Sequence, residues 1–196
     1  SFSPQAAKYE RLCQKLDLRP SHHLLEIGTG WGGFALHAAR TRGCRVTTTT
    51  ISREQFALAR ERIAQAGLAG RVEVLLEDYR DLRGRFDRLV SIEMIEAVGH
   101  RHLPRFFEVC ANRLEANGAM ALQAILVPEQ TWESSKKSVD FIKRYIFPGG
   151  QLVGLGAISQ AMTNTPLRLV HYEDITPHYA ETLRRWRDRF LASRPA

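Results

Sequence analysis

The stretch His22-His-Leu-Leu-Glu-Ile-Gly-Thr-Gly-Trp-Gly-Gly33 decides the fold. Leu24, Leu25 and Ile27 form a short apolar run, the pattern of a central strand buried on both faces. Gly28, Gly30, Gly32 and Gly33 follow at once, and Phe34-Ala-Leu-His-Ala-Ala-Arg40 then reads as a helix. A strand, a glycine turn and a helix N-terminus bring bare backbone and a positive dipole end against a ligand. Gly28, Gly30 and Gly33 also satisfy the G-x-G-x-x-G dinucleotide spacing, a pattern that is weak on its own. Two features separate this loop from an NAD site. Glu26 lies inside the strand, where a carboxylate suits a cationic group such as the amino group of S-adenosylmethionine. The following strand, Arg45-Val-Thr-Thr-Thr-Thr50, ends in threonine rather than in the acid that NAD ribose hydroxyls require. S-adenosylmethionine is the expected cofactor.

Working outward, strands and helices alternate. Ser3 to Leu16 reads as a helix with Ser3 as N-cap and Pro4 at its first position. Ser52-Arg-Glu-Gln55 opens another, its Ser52 and Gln55 spaced as a capping box. Thr50 and Gln55 are also placed to meet an adenosine. Arg71–Leu76 is a third strand, followed by Glu77, Asp78 and Tyr79 at its carboxyl end, where ligands bind in open α/β sheets. There Asp78 is expected to accept from an adenine amino group and Tyr79 to pack on the ring. Phe86–Glu93 is a fourth strand running into Met94-Ile-Glu-Ala-Val-Gly-His100. Glu96, His100 and His102 match no metal signature, so no metal is expected. A helix with Leu103, Phe106, Phe107, Cys110 and Leu114 on one face should stop at Asn117-Gly118, and Ala119–Val127 is a fifth strand interrupted by Gln123.

This pattern predicts one α/β domain over residues 1–196, a mostly parallel Rossmann-like sheet in the order 3-2-1-4-5 with helices on both faces. A helical insert, about 128–156, breaks the alternation. Its amphipathic part, Glu133–Tyr145, sets Val139, Ile142 and Ile146 against Lys136, Lys137, Lys143 and Arg144, as a cover for an acyl chain would. Beyond it a short helix near 157–162, a strand Leu167–Tyr172 without a partner, and an Arg- and Trp-bearing helix His178–Leu191 are expected.

The net charge of +7 favours anionic partners, and no nucleic-acid motif accompanies it. Cys13, Cys44 and Cys110 lack metal or redox spacing and suit a reducing, cytoplasmic setting. No stretch approaches the roughly 18 apolar residues of a membrane span. The basic insert and the Arg-rich last helix suit peripheral contact with an anionic membrane surface.

Leu25-Glu-Ile-Gly-Thr-Gly-Trp-Gly-Gly33, Thr50-Ile-Ser-Arg-Glu-Gln55, Ser91-Ile-Glu-Met-Ile-Glu-Ala-Val-Gly-His100 and Tyr145-Ile-Phe-Pro-Gly-Gly150 together resemble the cyclopropane-fatty-acyl-phospholipid synthase family of methyltransferases. The resemblance implies a class I methyltransferase fold. It places the methionine part of S-adenosylmethionine at Gly28, Thr29, Gly30 and Gly32, with Thr29 where a cysteine is usual. Thr50 and Gln55 would hold ribose and adenine, with Tyr79 and Arg80 close to the adenine. It further implies methylation of the double bond of an unsaturated acyl chain, on a membrane phospholipid, giving a cyclopropane or a methyl- or methylene-branched chain. Tyr145 is then a candidate to stabilise cationic species through its ring. The family's base set is a bicarbonate held by Glu, His, an amino-terminal Cys and a carboxyl-terminal Tyr. Glu96 matches the Glu and Gln123 stands in place of the His, while the segments for the Cys and the Tyr are expected to lie outside this chain, a fragment of a longer protein. A methyltransferase for a small soluble acceptor and a non-catalytic nucleotide- or lipid-binding domain are the competing readings.

Overall fold

The computed structural model describes residues 4–193. Ser3, the expected N-cap of the first helix, lies outside that range. Five parallel strands, β1 (His23–Ile27), β2 (Arg45–Thr50), β3 (Val72–Leu76), β4 (Phe86–Ile92) and β5 (Leu114–Gln123), form one sheet in the order β3-β2-β1-β4-β5. The expected order is therefore the observed one, and the crevice lies where the chain turns from β1 outward in both directions.

Strand alternation sorts the core into two layers. Leu24 and Val90 face α1 (Pro4–Lys15), α2 (Gly33–Arg42) and α3 (Arg53–Gln65), packing with Leu16, Phe34, Ala38 and Ile63. Leu25, Ile27 and Leu89 face the other way, onto Phe106 and Phe107 of α4 (Leu103–Arg113), Trp132 of α5 (Glu129–Lys137) and Ile158 of α6 (Leu155–Ala161). A large apolar side chain buried this fully contributes about 1.5–3 kcal/mol. By the same alternation Glu26 shares the face of Leu24 and lies in register beside Thr48.

Three expectations need correction. β5 begins at Leu114, immediately after α4, rather than at Ala119. Its pairing jumps from Phe86↔Leu114 to Arg88↔Ala119, so Asn117-Gly118 forms part of a bulge in the strand and does not terminate a helix. Beyond Gln123 only an isolated parallel bridge, Leu126↔Val153, continues this edge. The amphipathic insert is also not one helix. α5 ends at Lys137, and a separate π-helical turn covers Ile142–Ile146, with Val139 left 76 % exposed between them. Finally, Leu167–Tyr172 forms no strand, and Val170 is 91 % exposed. With no neighbouring strand among the described residues to pair its backbone, this stretch stays irregular. It leads into α7 (Thr176–Ala192), none of whose side chains is buried. No helix of the described residues is long and apolar enough to cross a membrane.

Candidate active site

The glycine loop closes over the end of β1 by borrowing acceptors from β2. The N–H groups of Gly28 and Thr29 both donate to the Thr49 carbonyl, at 3.1 and 2.9 Å. Gly28, Gly30 and Gly32 take φ of 100°, 51° and 80°, conformations that L side chains rarely adopt. Gly32 is also crowded, since a Cβ there would sit 3.1 Å from the Ala59 Cβ. No side chain caps α2 at Gly32, so no capping group competes for the N–H groups at its start. A cofactor bearing a carboxylate fits such a cradle. Trp31 and Ile51, both exposed at the crevice mouth, were not singled out by their sequence context; an apolar residue beside a glycine loop was the available signal.

Glu26 is only 2 % exposed, and its Oε2 accepts from the Thr48 hydroxyl at 2.7 Å. The Thr48 hydroxyl lies a further 2.8 Å from that of Thr29, tying the strand pair to the loop. Burial pushes the Glu26 carboxyl up to about 8, the Thr48 hydrogen bond offsetting only part of that rise. A cation placed beside it would restore the charge.

At the end of β2 the Thr50 hydroxyl donates to Gln55 Oε1 at 2.8 Å and accepts from the Ser52 N–H at 3.1 Å. Half of the capping box therefore forms: Ser52 Oγ accepts from the Gln55 N–H at 3.2 Å, but the Gln55 side chain turns to Thr50. At the end of β3 the Arg80 guanidinium grips Asp78 bidentately, at 2.9 and 2.8 Å, and holds its carboxyl below the usual carboxylate range. Tyr79 packs edge-on against Phe106 at 5.5 Å. Both residues expected at an adenine are thus engaged with protein partners.

The second half of the site abuts the first. A Cβ on Gly28 would lie 3.2 Å from Met94, so the turn after β4 rests directly on the glycine loop. In that turn Glu96 Oε1 accepts from the Ile125 N–H at 2.7 Å, while Glu96 Oε2 is buried with no protein partner. Burial raises the Glu96 carboxyl, the Ile125 N–H lowering it in part. Gln123, 9 % exposed, also leaves a buried atom without a partner, its Oε1. Buried side-chain oxygens normally have partners, so two orphans at one crevice mark a place for a ligand.

The expected pairing of Glu96 with Gln123 is not what forms. Gln123 Nε2 donates instead to Glu93 Oε1 at 2.7 Å and to the Tyr179 hydroxyl at 2.9 Å, and that hydroxyl donates to Glu93. Lys8 of α1 completes the group, 3.2 Å from Glu93. A tyrosine near the carboxyl end thus does reach the Gln123 position, contrary to the expectation that its segment lies outside the chain. Tyr145, by contrast, is 62 % exposed and packs on Phe141 at 5.1 Å, away from this group. The end of the insert still meets the turn, through the Gln151 N–H donating to the Glu96 carbonyl at 2.8 Å. His100 is held by Gln151 Oε1, which its Nδ1 meets at 2.6 Å. A concavity of about 440 Å³ lined by His22, Asp87, Arg88 and Glu115–Gly118 lies at the opposite, amino-terminal end of the strands and contains none of the candidate residues.

The family model described as mycolic acid cyclopropane synthetase matches residues 3–196. The chain belongs to this family. It is 44 % identical over 191 residues to the tuberculostearic acid methyltransferase of Mycobacterium tuberculosis, covering 97 % of this chain and 44 % of that protein. It is 38 % identical over 197 residues to the cyclopropane-fatty-acyl-phospholipid synthase of Escherichia coli, covering 98 % of this chain and 48 % of that one. The chain thus spans about half the length of these family members. Among solved structures, a mycolic acid cyclopropane synthase complexed with SAH and CTAB superposes with a TM-score of 0.85 at 28 % identity, over 95 % of this chain and 68 % of that one. A geranyl diphosphate methyltransferase at 20 % identity, TM-score 0.79, covering 88 % of this chain and 68 % of that one, shares the fold.

Proposed function

We propose that this chain forms the cofactor-binding and catalytic core of a methyltransferase that moves a methyl group from S-adenosylmethionine to the double bond of an unsaturated acyl chain. The supporting observation is the contact of Gly28 with Met94, which sets an uncapped glycine cradle against a turn carrying the orphaned oxygen of Glu96. Relatives named for methyl transfer to fatty acyl chains, and a family structure holding SAH, agree with it. The bound cofactor would supply an electrophilic methyl group. Gly28, Thr29, Gly30 and Gly32 would hold its methionine part, Glu26 its ammonium, and Thr50 and Gln55 its ribose, with Asp78, Tyr79 and Arg80 bordering the adenine.

An alkene is a weak nucleophile, so the protein's work is to hold it in line and keep water away. Methyl addition leaves a carbocation, and loss of a proton from it gives a cyclopropane or a methylene branch. Glu96 has a buried, free oxygen and a raised affinity for a proton, the properties of a base for that step, either directly or through a bicarbonate that it and Gln123 orient. The phospholipid headgroup and an anionic membrane surface follow from the basic insert and α7 as the setting.

The deciding experiment incubates the full-length protein with methyl-labelled S-adenosylmethionine and vesicles of monounsaturated phospholipid, then analyses the lipids by mass spectrometry. Label in the acyl chain is the expected result. Label only in a soluble acceptor, or cofactor binding with no transfer at all, would overturn the reading.

A further inference from the structure

Glu93 lies in the Ser91–His100 stretch but has been given no role so far, yet four interactions meet on it at the end of β4. It adopts φ of 50°, one of two non-glycine residues with positive φ among those described. Such a conformation persists where surrounding contacts over-determine it, and it concentrates at functional sites. The contacts are its own N–H donating to the Gln123 carbonyl at 2.8 Å, and its carboxylate receiving Gln123 Nε2, the Tyr179 hydroxyl and Lys8. One side chain thus joins β4 to β5, α1 and α7.

We propose that Glu93 is a positioning residue: its carboxylate fixes the Gln123 amide so that only the amide oxygen is offered to a ligand in the crevice. A carboxylate accepts hydrogen bonds and donates none, whereas an amide has a donating and an accepting end. Beside ionised Glu93 the amide has one workable orientation, and both Nε2 protons are used, one on Glu93 and one on the Tyr179 oxygen. The proton of Tyr179 goes to Glu93, so the phenol is set as well. What remains is Gln123 Oε1, nine-tenths buried and without a partner. It is a fixed acceptor for a ligand group that carries a proton. Lys8 supplies the counter-charge that keeps Glu93 ionised, outweighing the burial that would protonate it, together with Tyr179.

The effect on turnover rests on the methyl-transfer reading; the clamp itself does not. The test uses Glu93→Gln, which keeps the shape, Glu93→Gly, which relieves the backbone strain, and Glu93→Asp as the conservative variant. Hydrogen exchange of the Gln123 side-chain amide, followed by NMR, reads the clamp on this chain. Exchange should be at least about tenfold faster in the Gln and Gly variants, as expected when a local restraint is lost. In the full-length protein kcat should fall by roughly 10- to 100-fold, the scale of a misoriented group, with acceptor KM and cofactor affinity within about threefold and partial recovery in Glu93→Asp. A residue that merely docks α7 would lower the melting temperature and leave kcat per folded molecule unchanged. Unchanged amide exchange in both variants, or turnover within threefold of wild type, overturns the proposal. Should the wild-type protein methylate no lipid, the functional reading fails, and the exchange measurement still decides the clamp.

Discussion

Glu26 and Glu96 are both carboxyls perturbed by burial, but they lead to different expectations. Glu26 is a protonated acid below about pH 8 when no ligand is bound, while in the unfolded chain it ionises near 4.5. Between those values the native state binds more protons than the unfolded one, so stability falls as pH rises through the window and levels above it. Glu26→Gln should therefore flatten the fall in melting temperature between pH 5 and 8 and stabilise the ligand-free protein at pH 8. It should also weaken S-adenosylmethionine binding in calorimetry. An unchanged pH profile would show that Glu26 carries no such penalty. For Glu96 the expectation is kinetic: Glu96→Gln in the full-length protein should cut turnover by roughly 10²–10⁴-fold, the scale for loss of a general base, with cofactor affinity nearly unchanged. Turnover within a few-fold of wild type would remove Glu96 from the chemistry. Glu26 and Glu96 were legible because each stands out within its own motif. Glu93 was not, since nothing in its neighbours' spacing announces a left-handed strand end.

Among the elements, the insert divides into an anchored half and an uncovered half. Trp132 of α5 is buried against the α4 layer, meets His100 edge-on at 5.9 Å and carries Lys136 over its face at 5.1 Å. Trp132→Ala should cost roughly 3–5 kcal/mol, the usual scale for emptying an aromatic core site, and lower the melting temperature by several degrees. Val139, on the exposed link to the next turn, has no such contacts, and Val139→Ser should change stability by no more than about 0.5 kcal/mol. Equal melting temperatures for the two variants would contradict this division. The expected amphipathic helix failed here because periodicity identifies an apolar face without saying what covers it. Ser138 leaves helical geometry at ψ of 143°, and the face breaks there.

On the scale of the molecule, charge and exposed apolar surface coincide. The chain carries a net charge of +7, and Phe141, Tyr145 and Phe147 of the insert region, with Trp186 and Phe190 of α7, are all more than half exposed. Basic residues flank both groups. Binding to anionic vesicles should be measurable by co-sedimentation and should weaken steeply with salt, because the attraction is screened within a Debye length of about 8–10 Å at physiological ionic strength. Equal binding to neutral and anionic vesicles at low salt would leave only the apolar contribution.

By itself the sequence determined the parallel strands and the glycine cradle. Those follow from local regularities: apolar runs of strand length, glycines where positive φ is needed, and connections long enough for crossover helices. The tertiary structure alone decided which polar groups share the crevice. Glu93 and Tyr179 are 86 positions apart, and Gln123 and Tyr179 are 56 apart, so no window of sequence contains both members of either pair. They meet because β4 and β5 end side by side and α7 returns across them. A carboxylate, an amide and a phenol brought together at that junction satisfy one another, whatever stretch of chain each came from.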